Sequence, residues 1–327
     1  MNAPIADRLS KVFAETAVEV EGLRFVPLVG PSIEHPTYSV LDAEALKKVR
    51  ITEVSAGGSV PTLKVVNHLD TRLFLMDGQE LRGAKQNRIL NTSIMVPAGA
   101  EMTIPVSCVE QGRWSYASRA FMPGATASHR VRSGKLERVK TSLRTAACYD
   151  AGQSQVWADV AQMLEETHSF SPTMAMAAPY TRRREELAQI KAMLRLPAES
   201  VGLAVFMDGK PVGVDLFDRH ATLRFFVESL VDSYAIEWLG RPERARTPAE
   251  PSGAEGKTIE SLLREAAAGT WQTFKPPGEG EDLRLDHPNW NGAALVVEGS
   301  AIHLQLLPRQ AGSSAQPGVR RSWFERP

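Results

Sequence analysis

The first third of the chain alternates apolar and polar residues with the period of two that β-strands show. Glycine, proline and asparagine turns separate the runs, at a spacing of about ten residues. The runs are GLRFVPLVG, KVRITEV, VPTLKVVNH, TRLFLMDG, RILNTSIMVPAG and EMTIPVSCVEQGRW. Short strands at this spacing predict an antiparallel sandwich or roll, with a hairpin or sheet corner at Pro97-Ala98-Gly99.

Helical spacing dominates the region after Gln153. Four segments repeat apolar residues every three or four positions, and Gly269 stops the last of them. They are QSQVWADVAQMLEETH, TRRREELAQIKAMLRL, LRFFVESLVDSYAIEWL and KTIESLLREAAAG. Asp208-Gly209 and Glu298-Gly299-Ser300 each lie between two apolar runs, which predicts two hairpins. The fold class is therefore predicted as α+β, with an antiparallel β-rich core, sandwich-like or jelly-roll-like, and three or four helices packed on it.

The predicted domain organisation has three parts. Residues 1–21 form an N-terminal helix or arm, residues 22–308 a single domain, and residues 309–327 a disordered tail. Within the domain, residues 116–145 are rich in basic side chains and poor in large apolar ones. This composition predicts a long basic surface loop between residues 119 and 144, either solvated or folded over an anion.

Composition limits the classes of function. The chain has 327 residues, 43% of them hydrophobic, and 38 basic side chains balance 38 acidic ones. This is typical of a soluble globular protein without general attraction for nucleic acid or membranes. No run reaches the roughly 18 apolar residues of a membrane span, and Asp7 and Lys11 interrupt any signal-peptide core, so a cytoplasmic location is expected. Cys108 and Cys148 show no CxxC spacing, and neither a metal nor a specific cofactor is predicted.

Candidate chemistry is concentrated in the β-like stretch from Leu73 to Trp114. Six polar residues occupy twelve consecutive positions there: Glu80, Arg82, Lys85, Gln86, Arg88 and Asn91. In an extended strand Glu80, Arg82, Gln86 and Arg88 would share one face, unless a bulge near Gly83 shifts the register. Two arginines beside a glutamine suit a phosphate or carboxylate, and Glu80 is the candidate for a general base. The alternative is an internal salt-bridge and amide network that closes a sheet corner.

The segment PVSCVEQGRW adds Glu110, Arg113 and Trp114 as candidate ligand-binding residues. A tryptophan beside an arginine can stack on an adenine ring, although a core tryptophan at a strand end is the more common arrangement. Cys108 has no flanking histidine, so it is interpreted as a small core residue.

An acidic set and one histidine are further candidate ligands. The set Asp208, Asp215 and Asp218 suits a metal, but Asp208 is explained by its turn and Asp218 by a helix cap. His303 is expected to be a partly exposed strand residue.

Two strings carry a resemblance to a known family. DGQELRGAKQNRILNTSIMVPAG and IPVSCVEQGRW resemble the ARPP-1 family, the ADP-ribosylglycohydrolase and rhodanese-phosphatase-associated protein domain. AVFMDGKPVGVDLFD and NGAALVVEGSAIHLQLL extend the resemblance over roughly Gly22 to Leu307. The family is named for its gene neighbours, which implies a bacterial protein in NAD and ADP-ribose metabolism. It has no established activity, so the resemblance implies no catalytic residues.

Two functions are compatible with these features. The first is a domain that binds or processes a small anionic ligand, such as ADP-ribose or a related nucleotide. The second is a non-catalytic structural or interaction protein, in which the polar cluster is a scaffold or an oligomer interface. Nucleic acid and membrane partners are not expected, a homo-oligomer is compatible with both functions, and enzymatic activity is left open.

Overall fold

The computed structural model describes residues 3–242, 246 and 253–309. The predicted tail therefore lies outside the described residues, except for Arg309. The helices are α1 (Ala3–Ser10), α2 (Ala45–Lys48), α3 (His129–Ala146), α4 (Gln153–Glu166), α5 (Ala178–Arg182), α6 (Arg184–Met193), α7 (His220–Gly240) and α8 (Glu255–Ala268). The strands are β1 (Phe13–Ala14), β2 (Val18–Val20), β3 (Leu23–Val29), β4 (Tyr38–Val40), β5 (Val49–Glu53), β6 (Thr62–Asn67), β7 (Arg72–Leu75), β8 (Gln79–Gly83), β9 (Arg88–Leu90), β10 (Ile94–Val96), β11 (Glu101–Cys108), β12 (Phe121–Thr126), β13 (Ser200–Met207), β14 (Lys210–Phe217), β15 (Thr270–Phe274), β16 (Glu281–Asp286), β17 (Trp290–Val297) and β18 (Ser300–Pro308).

A nine-stranded antiparallel sheet joins the two ends of the described chain. Its order is β1-β3-β13-β14-β18-β17-β16-β15, and β2 also pairs with β3. Both predicted hairpins are present, since β13 pairs with β14 and β17 pairs with β18. Asp208 and Gly209 both have positive φ, 49° and 70°, as a type I′ hairpin turn requires.

Two smaller sheets hold the polar stretch. A six-stranded sheet has the order β12-β8-β9-β11-β6-β5, and a three-stranded sheet has the order β10-β7-β4. The chain leaves β10 through Pro97-Ala98-Gly99 and enters β11 in the other sheet, so this segment is a corner between sheets. The predicted α+β class with an antiparallel β-rich core is confirmed.

The nine-stranded sheet is covered on both faces because successive residues of its strands point to opposite sides. On β13, Leu203 and Val205 join a core formed with α3, α4 and α7. Ala204 and Phe206 join a core formed with α1 and α8. The N-terminal segment contributes to this second core, and its strands β1 and β2 pair with β3 across the predicted boundary at residue 22.

The prediction of a basic surface loop over residues 119–144 is wrong. The segment forms β12 and α3, and the hydroxyl of Ser128 caps α3 by accepting a hydrogen bond from the backbone N–H of Val131. Arg132 and Lys135 of α3 are fully buried because segments distant in sequence provide aspartates that pair with them. The charge composition of the segment predicts exposure to solvent. The aspartates that pair with these cations are far away in the sequence, so the local pattern does not reveal them.

Candidate functional site

The segment from Glu80 to Arg88 is a tight hairpin. β8 ends at Gly83, β9 begins at Arg88, and Leu81 lies opposite Arg88. Gly83 and Ala84 have φ values of 128° and 39°, which reverse the chain between the strands. The predicted common face does not continue past Gly83, because Leu81, and neither Glu80 nor Arg82, lies opposite Arg88. Glu80 and Arg82 do share a face, since both face Gly124. The Arg82 side chain is 52% exposed, whereas that of Glu80 is fully buried.

Glu80 is held by two neighbouring segments. The side chain of Asn87 and the backbone N–H of Ala125 donate hydrogen bonds to its two carboxylate oxygens, both at 3.3 Å. Gly124 makes this packing possible, since a Cβ there would collide with the Glu80 carboxylate and the Arg82 side chain. Burial raises the pKa of Glu80 to about 7, although nearby Arg82 opposes the change.

Glu110 anchors the other side of the hairpin. It accepts hydrogen bonds from Arg113 at 2.6 Å, from Thr173 at 2.8 Å and from the backbone N–H of Asn87 at 3.2 Å. Burial alone would raise the pKa of Glu110, but these hydrogen bonds lower it below its usual value. Gln86 donates to the backbone carbonyl of Glu110 at 2.9 Å. Most of the predicted site residues thus form one internal network that holds the hairpin in place.

Arg88 lies in the corner formed by β8, β9 and residues 110–116, and its hydrogen bonding is incomplete. Its guanidinium is fully buried; Nη1 donates to Gln86 at 3.0 Å, and Nη2 lies 4.0 Å from the carboxylate of Glu53. Within the described part of the chain, Nε and Nη2 have no hydrogen-bond partner. Burial lowers the pKa of Arg88, whereas the neighbouring Cys108 and Glu53 raise it. A buried cation is therefore left with unused donors.

Aromatic side chains lie above Arg88 and border solvent. The Trp114 ring is centred 5.6 Å from the Arg88 guanidinium, and Lys85 Nζ lies 5.3 Å from Trp114 and 5.2 Å from Tyr116. Trp114 is 46% exposed and Tyr116 is 54% exposed. Trp114 is consequently not the core residue that the alternative interpretation of PVSCVEQGRW requires. Tyr116 was missed, although it follows Trp114 by two positions, the spacing that keeps two residues on one side of an extended chain.

Asn91 does not belong to this corner. Its side chain donates to the carbonyl of Tyr149 and accepts from Ser107, both at 2.8 Å, and its own carbonyl accepts from Lys135 at 3.2 Å. Asn91 therefore borders a second buried polar group, the inner cluster. Its ion pairs are Lys135–Asp77, Arg132–Asp215 and Arg284–Asp282.

His303 lies in the inner cluster, and the prediction that it is partly exposed is wrong. It is 1% exposed and stacks on Phe217 at 4.8 Å. Its Nδ1 is hydrogen-bonded to the Ser93 hydroxyl at 2.8 Å, and its Nε2 lies 3.5 Å from the Asp215 carboxylate. The alternation of His303 with Ile302 and Leu304 predicts partial exposure, but the inner cluster covers this face of β18, where Gln305 accepts a hydrogen bond from Arg132 of α3.

The acidic set considered for a metal is dispersed. Asp208 pairs with Arg241 at 2.6 Å, whereas Asp218 accepts from Tyr38 at 2.5 Å and from Arg219 at 3.0 Å. Asp218 is also not the cap of α7, which has no side-chain cap. Among the residues that the structure describes, no three metal-ligating side chains come together.

Several predicted site residues pack against one another within the hairpin network. Surface cavities of about 380, 530 and 550 Å³ lie elsewhere, next to α6 and α7, between α1 and α8, and near the N-terminal end of α8. Access to Arg88 consequently depends on the partly exposed side chains above it. Over the described ranges, no helix has the length and apolar character needed to cross a membrane.

Comparison with known proteins gives one match. A family model described as ARPP-1, the ARG and Rhodanese-Phosphatase-superfamily-associated Protein domain, matches residues 11–307. No curated protein and no solved structure matches the chain. The matched range includes the corner around Arg88, the inner cluster, and the strands β1 and β2 that precede residue 22.

Proposed function

This chain belongs to the ARPP-1 family, and from that premise we propose that it binds a small anionic ligand at the corner formed by β8, β9 and residues 110–116. ADP-ribose or a related nucleotide is the proposed class, because the family implies association with ADP-ribose enzymes. The observation that carries the proposal is the buried Arg88 guanidinium beneath the exposed Trp114, because its Nε and Nη2 have no hydrogen-bond partner among the described residues.

The chemistry of Arg88 suits a phosphate. Burial of a guanidinium with unused donors is costly, and a phosphate offers acceptor oxygens for two parallel hydrogen bonds. Lys85 adds a second positive charge next to the aromatic rings of Trp114 and Tyr116. In this proposal the Trp114 side chain swings away from Arg88 as the ligand enters and then stacks on its planar base.

The predicted residues in the internal network have supporting roles in this proposal. Glu110 and Arg113 hold the hairpin, so they position Arg88 rather than contact the ligand. Glu80 is the candidate for acid–base chemistry if the ligand is processed, because its pKa of about 7 suits proton transfer near neutral pH. The lowered pKa of Glu110 keeps that carboxylate charged, which separates the two carboxyl groups into different protonation states.

The second candidate function is a structural or interaction protein. It is favoured by the observation that Glu80, Gln86 and Glu110 are buried and hydrogen-bonded within the corner itself. On this interpretation the corner stabilises the sheet and binds nothing. The two functions therefore make different predictions. Ligand binding requires the exposed aromatic residues above Arg88 to contribute to affinity, whereas the structural function predicts no binding at the corner.

Titration calorimetry with ADP-ribose, AMP and inorganic phosphate tests the proposal. We expect saturable binding of ADP-ribose, and an affinity roughly 5- to 150-fold lower in Trp114→Ala, since stacking on an aromatic ring is worth about 1–3 kcal/mol per base. Phe13→Ala is the matched control, because Phe13 is also exposed (60%) but lies on the α1–α8 side of the molecule. Absence of binding at millimolar ligand to folded protein, or equal affinity of Trp114→Ala, would overturn it in favour of the structural function.

A further inference from the structure

A second feature of the molecule, separate from the corner, is the cavity of about 380 Å³ between α6 and α7. This volume is in the range of small-molecule sites. Its walls combine polar and apolar residues, and the apolar ones come from one stripe of α7, four positions apart, and from the segment after α6. The apolar lining is Leu194, Leu196, Pro197, Ala198, Leu223, Val227 and Val231.

One buried polar group in this cavity is incomplete. Ser200, the first residue of β13, is 4% exposed, and its hydroxyl has no hydrogen-bond partner within the described part of the chain. Buried hydroxyls are normally hydrogen-bonded, and leaving one unpaired is costly. A hydroxyl of this kind in the wall of a cavity is suited to a polar atom of a ligand.

The lining also includes a cation. Arg224 also lines the cavity, and its Nη2 donates at 3.2 Å to the carbonyl of Ala198, two residues before Ser200. Lys191 lines the cavity as well, but Asp232 pairs with it at 3.0 Å. Glu228 is the acidic residue of the wall. The lining thus includes a hydroxyl and a guanidinium from neighbouring parts of the structure, and these two groups suit a carboxylate.

We propose that this cavity binds a small amphipathic carboxylate. The carboxylate accepts hydrogen bonds from the Ser200 hydroxyl and the Arg224 guanidinium, and its hydrocarbon part packs on the α7 stripe around Val227. The driving force is the removal of apolar surface from water, and the charged head fixes the orientation. The site shares no lining residue with the corner around Arg88, so the inference stands independently of the function proposed there.

Octanoate and its uncharged analogue octanol are the probes for this site. In calorimetry or ligand-observed NMR on the full chain, we expect saturable octanoate binding and weaker octanol binding. Val227→Trp fills the cavity and should abolish octanoate binding. Ala267→Trp is the matched control, because it places the same ring in the cavity between α1 and α8 and should leave octanoate binding unchanged.

Two conservative variants test the polar end. Ser200→Ala and Arg224→Gln should each weaken octanoate by about fivefold or more and leave octanol unchanged, because each removes one hydrogen bond to the carboxylate. If Val227→Trp does not fold, these two variants still test whether octanoate binds in this cavity. Circular dichroism verifies folding throughout. The proposal is overturned by unsaturable octanoate binding, by equal affinities for octanoate and octanol, or by wild-type octanoate affinity in both Ser200→Ala and Arg224→Gln.

Discussion

At the scale of single residues, two buried carboxyl groups differ in how well neighbouring residues compensate their charge. Asp215 accepts from Arg132 and from Tyr234, and His303 faces it, so this carboxylate is amply compensated. Its pKa is accordingly lowered: burial acts to raise it, but Arg132 and His303 outweigh burial. Glu80 has weaker partners, and burial dominates its pKa. Glu80 therefore makes folding sensitive to pH near neutrality.

Glu80→Gln should change how stability depends on pH. Burial raises the pKa of Glu80 from an ordinary value of 4.5 to about 7, so the folded state prefers the protonated form. The resulting loss of stability is absent below pH 4.5, grows as pH rises through the interval, and is complete above 7, at about 3 kcal/mol. Glutamine does not titrate. The free energy of unfolding of the variant, relative to wild type, should therefore be higher at pH 8 than at pH 5.

Urea denaturation at several pH values measures this difference. Glu34→Gln, at an exposed position, serves as the control and should follow the wild-type profile. If Glu80→Gln and wild type respond to pH in parallel between 5 and 8, then Glu80 is charged in the folded state across that range.

At the scale of elements, the corner depends on close packing between β8 and β12. The two strands pair with an irregularity between Pro123 and Thr126, and Gly124 lies within it. The absence of a side chain at Gly124 lets Glu80 and Arg82 approach the backbone of β12. A strand glycine with such neighbours marks a place where the chain must approach closely. The geometry of the candidate site thus depends on a residue that contributes no chemistry.

Gly124→Ala should destabilise the protein and disturb the corner. The added Cβ would collide with the Glu80 carboxylate and the Arg82 side chain, and such overpacking costs roughly 1–3 kcal/mol. Gly57→Ala is the control, because the nearest neighbouring atom of its Cβ would be the Ser55 hydroxyl at 3.7 Å, an ordinary contact. Thermal melting compares the two variants. Equal melting temperatures for Gly124→Ala and Gly57→Ala would show that β12 relaxes at no cost.

At the scale of the whole molecule, the sheets are joined through polar contacts as well as apolar ones. Thr92, between β9 and β10, donates to Asp282 of the nine-stranded sheet at 2.9 Å. Lys135 of α3 donates to both carboxylate oxygens of Asp77, which follows β7, at 2.8 Å. The inner cluster therefore fixes α3 and the smaller sheets against the large one.

Lys135→Met should be strongly destabilising. It would leave the Asp77 carboxylate buried without its cation, and breaking one side of a buried pair costs roughly 3–5 kcal/mol. Lys47→Met is the control, because the Lys47–Glu44 pair is exposed and such pairs contribute little. Chemical denaturation monitored by circular dichroism checks both. A Lys135→Met protein as stable as wild type would mean that water readily replaces Lys135 beside the Asp77 carboxylate.

The sequence alone determined the helices and hairpins whose formation depends on residues close together in the chain. Apolar spacing predicted α4, α6, α7 and α8, and turn residues predicted the hairpins at Asp208-Gly209 and Glu298-Gly299-Ser300. The α+β class follows from these elements, and the ELRGAKQNR string indicated the family. The same string located the corner, since its residues lie close together in sequence and stay close in the hairpin.

Only the tertiary structure decided which polar residues are buried. Lys135 and Asp77 are 58 positions apart, and Arg132 and Asp215 are 83 apart, so each charge appeared unpartnered in its own segment. A basic helix was consequently interpreted as a surface loop. The predicted site is divided into an internal network and an exposed edge with Trp114. This division depends on the turn at Gly83. The cavity beside Ser200 likewise exists only because α6 and α7 pack side by side, and no local pattern encodes that packing.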